Sequence, residues 1–306
     1  MKSFVKCITE SVLNMKKASA EKLKLFLIFA APTLIIFATV VFIPLLYGLY
    51  LSMTNWDGVS SSYEIIGLQN YLKVFTDSSF WHSFLLTLRY VVISVVLVNV
   101  IGFMIAYLLT SGIKGQKVLR TGFFTSNLLG GIVLGFVWSF IFQRALVFIG
   151  QNLHISVFEE SWLADPNKAF WTLVIVTVWQ LSGYMMIIYI AGFMSIPQDI
   201  LEAAAIDGCS STQTVTHIVL PLMMPSFVIC IFLTLQRCFM VYDINLSLTK
   251  GGPYNSTELI AMHVYQKAFL SHQYGVGQSE AFILFLMVAV ITGLQLYFSK
   301  KMEVES

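Results

Sequence analysis

Apolar residues in this chain come in long unbroken blocks, not in the alternation with period 2 or 3.6 that marks a half-buried strand or helix. A helix crossing the ~30 Å hydrocarbon layer of a bilayer needs about 20 apolar residues. Six segments reach that length: 25–51, 84–110, 119–142, 168–194, 221–246 and 279–299. In lipid every backbone polar group must be paired within the protein, which leaves helices or closed barrels, and these blocks are about twice the length of a barrel strand. The pattern therefore predicts an all-α membrane protein, a bundle of six transmembrane helices spread over 25–300. Polar flanks lie at 1–24 and 301–306, and a polar loop at 195–220.

Orientation follows from lysine and arginine, which stay preferentially on the cytoplasmic side. Lys2, Lys6, Lys16, Lys17, Lys22 and Lys24 precede the first block, Lys114, Lys117 and Arg120 flank the second connection, and Lys300 and Lys301 follow the last block. With six spans these positions share one side, so both termini are expected in the cytoplasm. The remaining side carries a thinner scatter of cations, Lys73, Arg144, Lys168, Lys250 and Lys267, and the longer segments after Ser52, Gln143 and Ser247.

Composition narrows the function classes. Hydrophobic residues make up 57% of the 306 positions and charged residues only 11%, against about 25% charged in ordinary soluble domains. The net charge of +2 is too small and too dispersed for a nucleic-acid partner. Cys7, Cys209, Cys230 and Cys238 show no metal-ligand or CxxC spacing and are expected to be reduced and structural. Acidic residues and histidines are few and scattered, so no metal site is expected. There is no GxxxxGK[ST] phosphate loop, so the chain is not an ATPase by itself, and neither HExxH nor GxSxG occurs.

The segment 195–220 departs from the positive-inside habit. It holds no lysine or arginine and carries Asp199, Glu202 and Asp207 instead. Pro197 suits a first helical turn, Asp199 and Glu202 favour the positive end of a helix dipole, and Ala203, Ala204 and Ala205 are strong helix formers. Gly208 fits a left-handed stop. Ser210 with Gln213 three residues on is a capping box that opens a second helix toward Leu220 and Pro221. Local chemistry thus predicts two short helices about a glycine bend. An ordinary connector would need neither the length nor the acidic sign.

The run Glu202-Ala203-Ala204, then Asp207-Gly208, then Ile218 and Leu220-Pro221 resembles the EAA loop of binding-protein-dependent ABC importer permeases. Further stretches resemble the sugar-uptake, maltose-type branch: Ile66-Gly67-Leu68-Gln69-Asn70-Tyr71, Trp162 to Pro166, Thr249-Lys250-Gly251-Gly252-Pro253, and Gly275 through Ala281. Thr212 departs from the tryptophan frequent in the family. Glu280 departs from its small or basic residues and is expected near the outer surface. The resemblance implies that Glu202, Ala203, Ala204, Asp207, Gly208, Leu220 and Pro221 seat in a cleft of a separate ATPase. It implies a prokaryotic plasma-membrane importer with a second permease subunit forming a heterodimer, two cytoplasmic ATPase chains that bind ATP and Mg, and an extracytoplasmic solute-binding protein. No cofactor is implied on this chain, and no catalytic residue.

Polar groups inside the spans are the candidates for a solute path. An arginine at mid-bilayer costs ~2.5–3.5 kcal/mol or more and normally faces an interior path or a partner. Arg237, sixteen positions after Pro221, is expected about 24 Å up its helix, in the outer half of the membrane; it faces the path, or it snorkels to the outer headgroups or pairs with another helix. Helical spacing places Gln236, Met240 and Asp243 on one face. In the fourth span Gln180 and Tyr184 share a face and Trp179 lies beside them. Rings and amides suit sugar C–H faces and hydroxyls, and the resemblance places Tyr184 where an aromatic contacts sugar. Packing between helices is the competing role for Trp179. Asn99 and Asn127 are expected to bond helix to helix. An ion-driven carrier would show repeats and broken helices about buried carboxylates; no repeat is evident. The solute is expected to be an oligosaccharide or other sugar, with a polyol or glycerol phosphate as the alternative.

Overall fold

The computed structural model describes residues 24–302, with side chains through Ser299. The lysines before Lys24, Cys7, the flank beyond Met302 and the side chains of Lys300 and Lys301 lie outside the described residues. The described chain is helical, and β structure in it is a single bridge between Thr54 and Ile65. The helices are α1 (Phe26–Ser52), α2 (Gln69–Thr76), α3 (Ser78–Thr110), α4 (Gln116–Leu128), α5 (Gly131–Leu153), α6 (Pro166–Met194), α7 (Gln198–Ile206), α8 (Ser211–Leu222), α9 (Met224–Phe239), α10 (Asp243–Leu248), α11 (Ile260–Tyr265) and α12 (Tyr274–Met302). Five of the described helices are long and apolar enough to cross a membrane, and α8 and α9 pass the same test only when taken together, as a pair bent by 68°.

The core is built around α6. In its most apolar stretch 67% of the residues are buried, against 0% in α1. Small residues let neighbours approach: a Cβ at Gly183 would run into the Phe123 carbonyl of α4, and one at Gly102 of α3 would meet the Ser182 carbonyl at 3.2 Å. Without a hydrophobic drive between helices in lipid, close packing and interhelical hydrogen bonds hold such a bundle. Tyr90 and Thr177 hydroxyls pair at 2.6 Å, the Tyr189 hydroxyl donates to Asn99 Oδ1 at 2.7 Å, and Asn99 Nδ2 reaches Thr234 Oγ1 at 3.4 Å, tying α3, α6 and α9 together.

Two blocks that the hydropathy pattern draws as single spans are broken. The third divides at Leu129 and Gly130, both in extended backbone, and its second part runs on to Leu153. The Gly130-Gly131 pair is the cause available in the sequence, since paired glycines leave the helix its greatest backbone freedom there. The fifth bends by 68° at Met223, so its straight part begins at Met224 and not at Pro221. Pro225 has no N–H to give the carbonyl four residues back, which is that of Pro221, and its ring crowds that carbonyl. The same span ends at Phe239, and after Met240 and Tyr242 the chain turns into α10, against α5. Gln236, Met240 and Asp243 therefore do not form one face of one helix.

At the end of the bundle away from the α7–α8 loop, the motif residues bind the connections together. Asn70 Nδ2 donates to the carbonyls of Ser52 and Thr54, closing the end of α1 at 2.8 and 2.7 Å, and the Tyr71 and Ser52 hydroxyls pair at 2.7 Å. Gly275 permits α12 to start against this turn, where a Cβ would collide with the Thr54 carbonyl. Asn245 Nδ2 donates to the Thr257 carbonyl at 2.7 Å across the Gly251-Gly252-Pro253 turn. Glu280 is not at a surface: it is fully buried, nearly two turns into α12.

Candidate functional site

The α7–α8 loop has the geometry its sequence dictates. Pro197 stands just before α7, and the helix carries Asp199 in its first turn. Gly208 ends it with φ +75°, the left-handed conformation that only glycine adopts without strain, and a Cβ there would meet nothing within 4 Å. The Ser210 and Gln213 capping box is complete, with the Ser210 amide donating to Gln213 Oε1 at 2.8 Å and the Gln213 amide donating to Ser210 Oγ at 3.4 Å. Ala204 is buried against the bundle, while Glu202, Ala203, Asp207 and Gly208 are exposed and Leu220 and Pro221 are half-buried. Ile206 is 86% exposed, a bare apolar side chain at the tip between two carboxylates. Sequence reasoning passed over it, although its place beside Asp207-Gly208 marked it.

A cavity of about 690 Å³ separates the α7–α8 loop from the ends of α3, α4 and α6, lined by Thr110, Arg120, Phe193, Leu201 and Cys209 among others. Arg120 Nη2 donates to the Leu109 carbonyl at 3.4 Å, closing the end of α3 beside it.

A second constellation lies in mid-bundle. The guanidinium of Arg237 stands 5.5 Å from the centroid of the Tyr184 ring, within cation–π range. It also donates to Asn127 Oδ1 at 3.3 Å. Gln180 Nε2 donates to the Leu129 carbonyl at 3.1 Å, satisfying a backbone acceptor released by the break between α4 and α5. Arg237 thus has interhelical partners. The structure joins Tyr184, Arg237 and Asn127, and sets Gln180 one turn from Tyr184 against the break. Nothing in the sequence pairs Asn127 with Arg237 across 110 positions.

The other residues of the candidate path lie apart. Trp179 meets Trp138 edge-on at 5.6 Å and lines an apolar groove of about 440 Å³ with Phe123, Trp171 and Gly183. Among the described residues no ring or polar contact links it to Tyr184 or Arg237. Gln236 is exposed, and Asp243 opens α10, lying so close to Gly131 that a Cβ there would be 2.8 Å away. The cluster faces outward from this single chain, since Arg237, Gln236 and Met240 are all exposed.

Residues 98–304 match the family of binding-protein-dependent transport system inner membrane components. The chain belongs to that family. It is therefore the permease subunit of an ABC importer and not an enzyme, ATP hydrolysis belonging to a partner chain. Among its relatives, the probable starch degradation products transport system permease protein AmyD of Thermoanaerobacterium thermosulfurigenes is 43% identical, over 91% of this chain and 94% of that one. The multiple sugar-binding transport system permease protein MsmF of Streptococcus mutans is 35% identical, over 86% and 91%. In fold, the permease is similar to a chain of a bacterial alginate ABC transporter solved in complex with an alginate pentasaccharide-bound periplasmic protein. The TM-score is 0.80 at 17% identity, covering 94% of this chain and 97% of that one.

Proposed function

We propose that this permease forms one half of the path of a sugar importer for oligosaccharides, with α7 and α8 docking on a cytoplasmic ATPase and Tyr184, Arg237 and Gln180 bordering the solute path. The observation that carries the docking reading is the exposed tip Glu202–Gly208, held on a completed cap and a left-handed glycine. An unpartnered acidic and apolar tip on a fixed base suits insertion into a cleft of another protein. The names of the relatives support sugar as the solute class. The cation–π pair of Arg237 and Tyr184 supports the path, because an arginine in the membrane that faces outward from one subunit needs a partner or water there. The lysine distribution supports a cytoplasmic loop and cytoplasmic termini. A second, non-identical permease, paired ATPase chains holding ATP and Mg, and an extracytoplasmic binding protein complete the assembly. The permease alternates between inward- and outward-open states, and its partners bias that equilibrium by a few kcal/mol, on the order of population shifts in general.

The test is uptake of labelled maltooligosaccharide into proteoliposomes holding the purified importer, with glycerol phosphate as a competing solute. ATP-dependent uptake that vanishes in Glu202→Lys while the variant stays in the membrane is the expected result. Uptake by this chain alone on a proton or sodium gradient would overturn the reading, and uptake of glycerol phosphate in preference to sugar would overturn the solute class.

A further inference from the structure

Three side chains far apart in sequence converge at the end of the bundle remote from α7 and α8. Asp77 precedes α3, His263 lies on α11 and Glu280 on α12. One potential ligand atom from each falls within 4.8 Å of those of the other two. Phe80, Phe84, Ile260, Ile283 and Leu284 pack as a buried apolar cluster on the same elements, and the Phe80 ring stands edge-on to His263 at 6.4 Å.

Three polar atoms of this cluster, His263 Nε2 and the two Glu280 oxygens, make no well-formed hydrogen bond among the described residues. Glu280 is 0% exposed, and among the described residues neither of its carboxylate oxygens makes a well-formed hydrogen bond, the nearest partner being His263 Nε2 at 3.5 Å. His263 is 7% exposed, and its Nε2 makes none either. Leaving a buried carboxylate without partners costs several kcal/mol, on the order of the penalty for an uncompensated buried charge. Its other nitrogen is fixed: Nδ1 lies 2.9 Å from Glu258 Oε1, which turns Nε2 toward Glu280. That carboxylate–imidazole pair is the usual support of a metal-bound histidine. The gap from Nε2 to Glu280 Oε1 is 3.5 Å, too long for a good hydrogen bond. Two ligands at about 2.0–2.1 Å on a tetrahedral metal stand about 3.3–3.4 Å apart, close to that gap.

We propose that Asp77, His263 and Glu280 bind a transition-metal dication of the zinc class, with Glu258 orienting the imidazole. One nitrogen and two carboxylates suit zinc. Calcium and magnesium take oxygen donors, and calcium takes six or more. The charges agree. Asp77, Glu258 and Glu280 bring three carboxylates and Lys267, 2.8 Å from Asp77 Oδ2, one ammonium, so acid groups outnumber cations even with a proton on His263, which a metal would displace. Lys267 occupies Asp77 Oδ2, and Oδ1 accepts from the Ser79 amide at 2.9 Å. Each oxygen keeps a second lone pair for a metal. A bound ion would tie the starts of α3, α11 and α12 into one rigid rim. The proposal does not depend on which solute the importer carries.

The experiment uses the full chain in detergent, purified without a polyhistidine tag and stripped with chelator. Zinc is titrated by calorimetry, and cobalt by its visible absorption, which reports the ligand field directly. The expected result is one equivalent of zinc, a rise in the unfolding midpoint, and at least a hundredfold weaker binding in Glu280→Gln and His263→Gln. Lys267→Gln removes a competing cation from Asp77 and should tighten binding about tenfold; it keeps the test decisive where the buried variants fail to fold. No saturable zinc on the wild-type chain would overturn the site, and so would equal binding in the variants, or weaker binding in Lys267→Gln. The cluster would then be an ion pair carried by a proton on His263.

Discussion

The loop at one end of the bundle and the carboxylate–histidine cluster at the other are both built on acidic residues, yet they solve opposite problems. The loop keeps Glu202 and Asp207 in water, where a charge needs no partner, and holds them with contacts between residues a few positions apart. The cluster buries Glu258, His263 and Glu280, where each charge must be answered, and gathers its members from three separate helices and connections. Burial works against a charged His263, but the Glu258 carboxylate bonded to it and the Glu280 carboxylate facing it outweigh that and lift the imidazole to about 9. Asp77 also feels burial first, and the Lys267 ammonium together with the Ser79 amide more than offsets it, holding the carboxyl below its ordinary range. Acidic residues on the loop are thus free to meet a partner, whereas those of the cluster are committed to the fold.

That contrast can be broken by substitution, and its largest predicted effect is in the cluster. His263→Leu leaves Glu258 and Glu280 buried without their common partner and should cost ~3–5 kcal/mol, as breaking a buried pair does elsewhere. Thermal unfolding of the purified chain measures it; a wild-type midpoint would mean the carboxylates are answered by something else. In the loop the signs should reverse, with large effects on uptake and small ones on stability. Gly208→Val forces a branched side chain into a left-handed position at ~1–2 kcal/mol, and uptake should be lost while the chain persists in the membrane. Gly208→Asn, which tolerates that conformation better, should keep part of the uptake.

Smaller effects sharpen the picture of the mid-bundle site. Tyr184→Ala removes a ring that carries the exposed Arg237 guanidinium, a contact worth ~0.5–1 kcal/mol at such a site. Uptake per assembled complex should fall about two- to fivefold, with assembly intact. Equal uptake at limiting sugar would remove Tyr184 from the path. Arg237→Lys should retain part of the effect, since an ammonium can sit over the ring but does not reproduce the planar fork that also bonds Asn127. Ser210→Ala, which deletes the cap of α8, should cost ~1 kcal/mol, readable as faster hydrogen exchange at 211–214 and a modest fall in uptake.

The same contrast explains what could be read from sequence. The class of fold follows from the apolar blocks alone, because bilayer thickness sets their length whatever they pack against. The loop is equally legible: Gly208, the Ser210–Gln213 box and the alanine run act within one or two turns. Proline and glycine could have warned of the breaks at Met223 and Leu129, but hydropathy averages over them. The break after Phe239 has no such local signal, so helical spacing alone sets Gln236 and Asp243 on one face. Arg237 with Asn127, and His263 with Glu280 and Asp77, are joined only by the way helices pack. Charge scarcity argues against a metal site, and the convergence of Asp77, His263 and Glu280 on which the proposed one rests is invisible until the fold assembles them.

The 68° bend at Met223 makes α8 and α9 a bell crank. A push delivered along α8 reaches the foot of α9 about nine-tenths sideways and only about four-tenths along its axis, by the sine and cosine of that angle. From Met224 to Arg237 the arm is thirteen residues long, about 20 Å at the helical rise. If α9 pivots about its buried middle near Cys230 and Thr234, a small lateral stroke at the loop swings Arg237 the opposite way. The proline that breaks the helix would then set the direction of motion, and a straightened helix would turn tilt into a piston stroke with little leverage on the cluster.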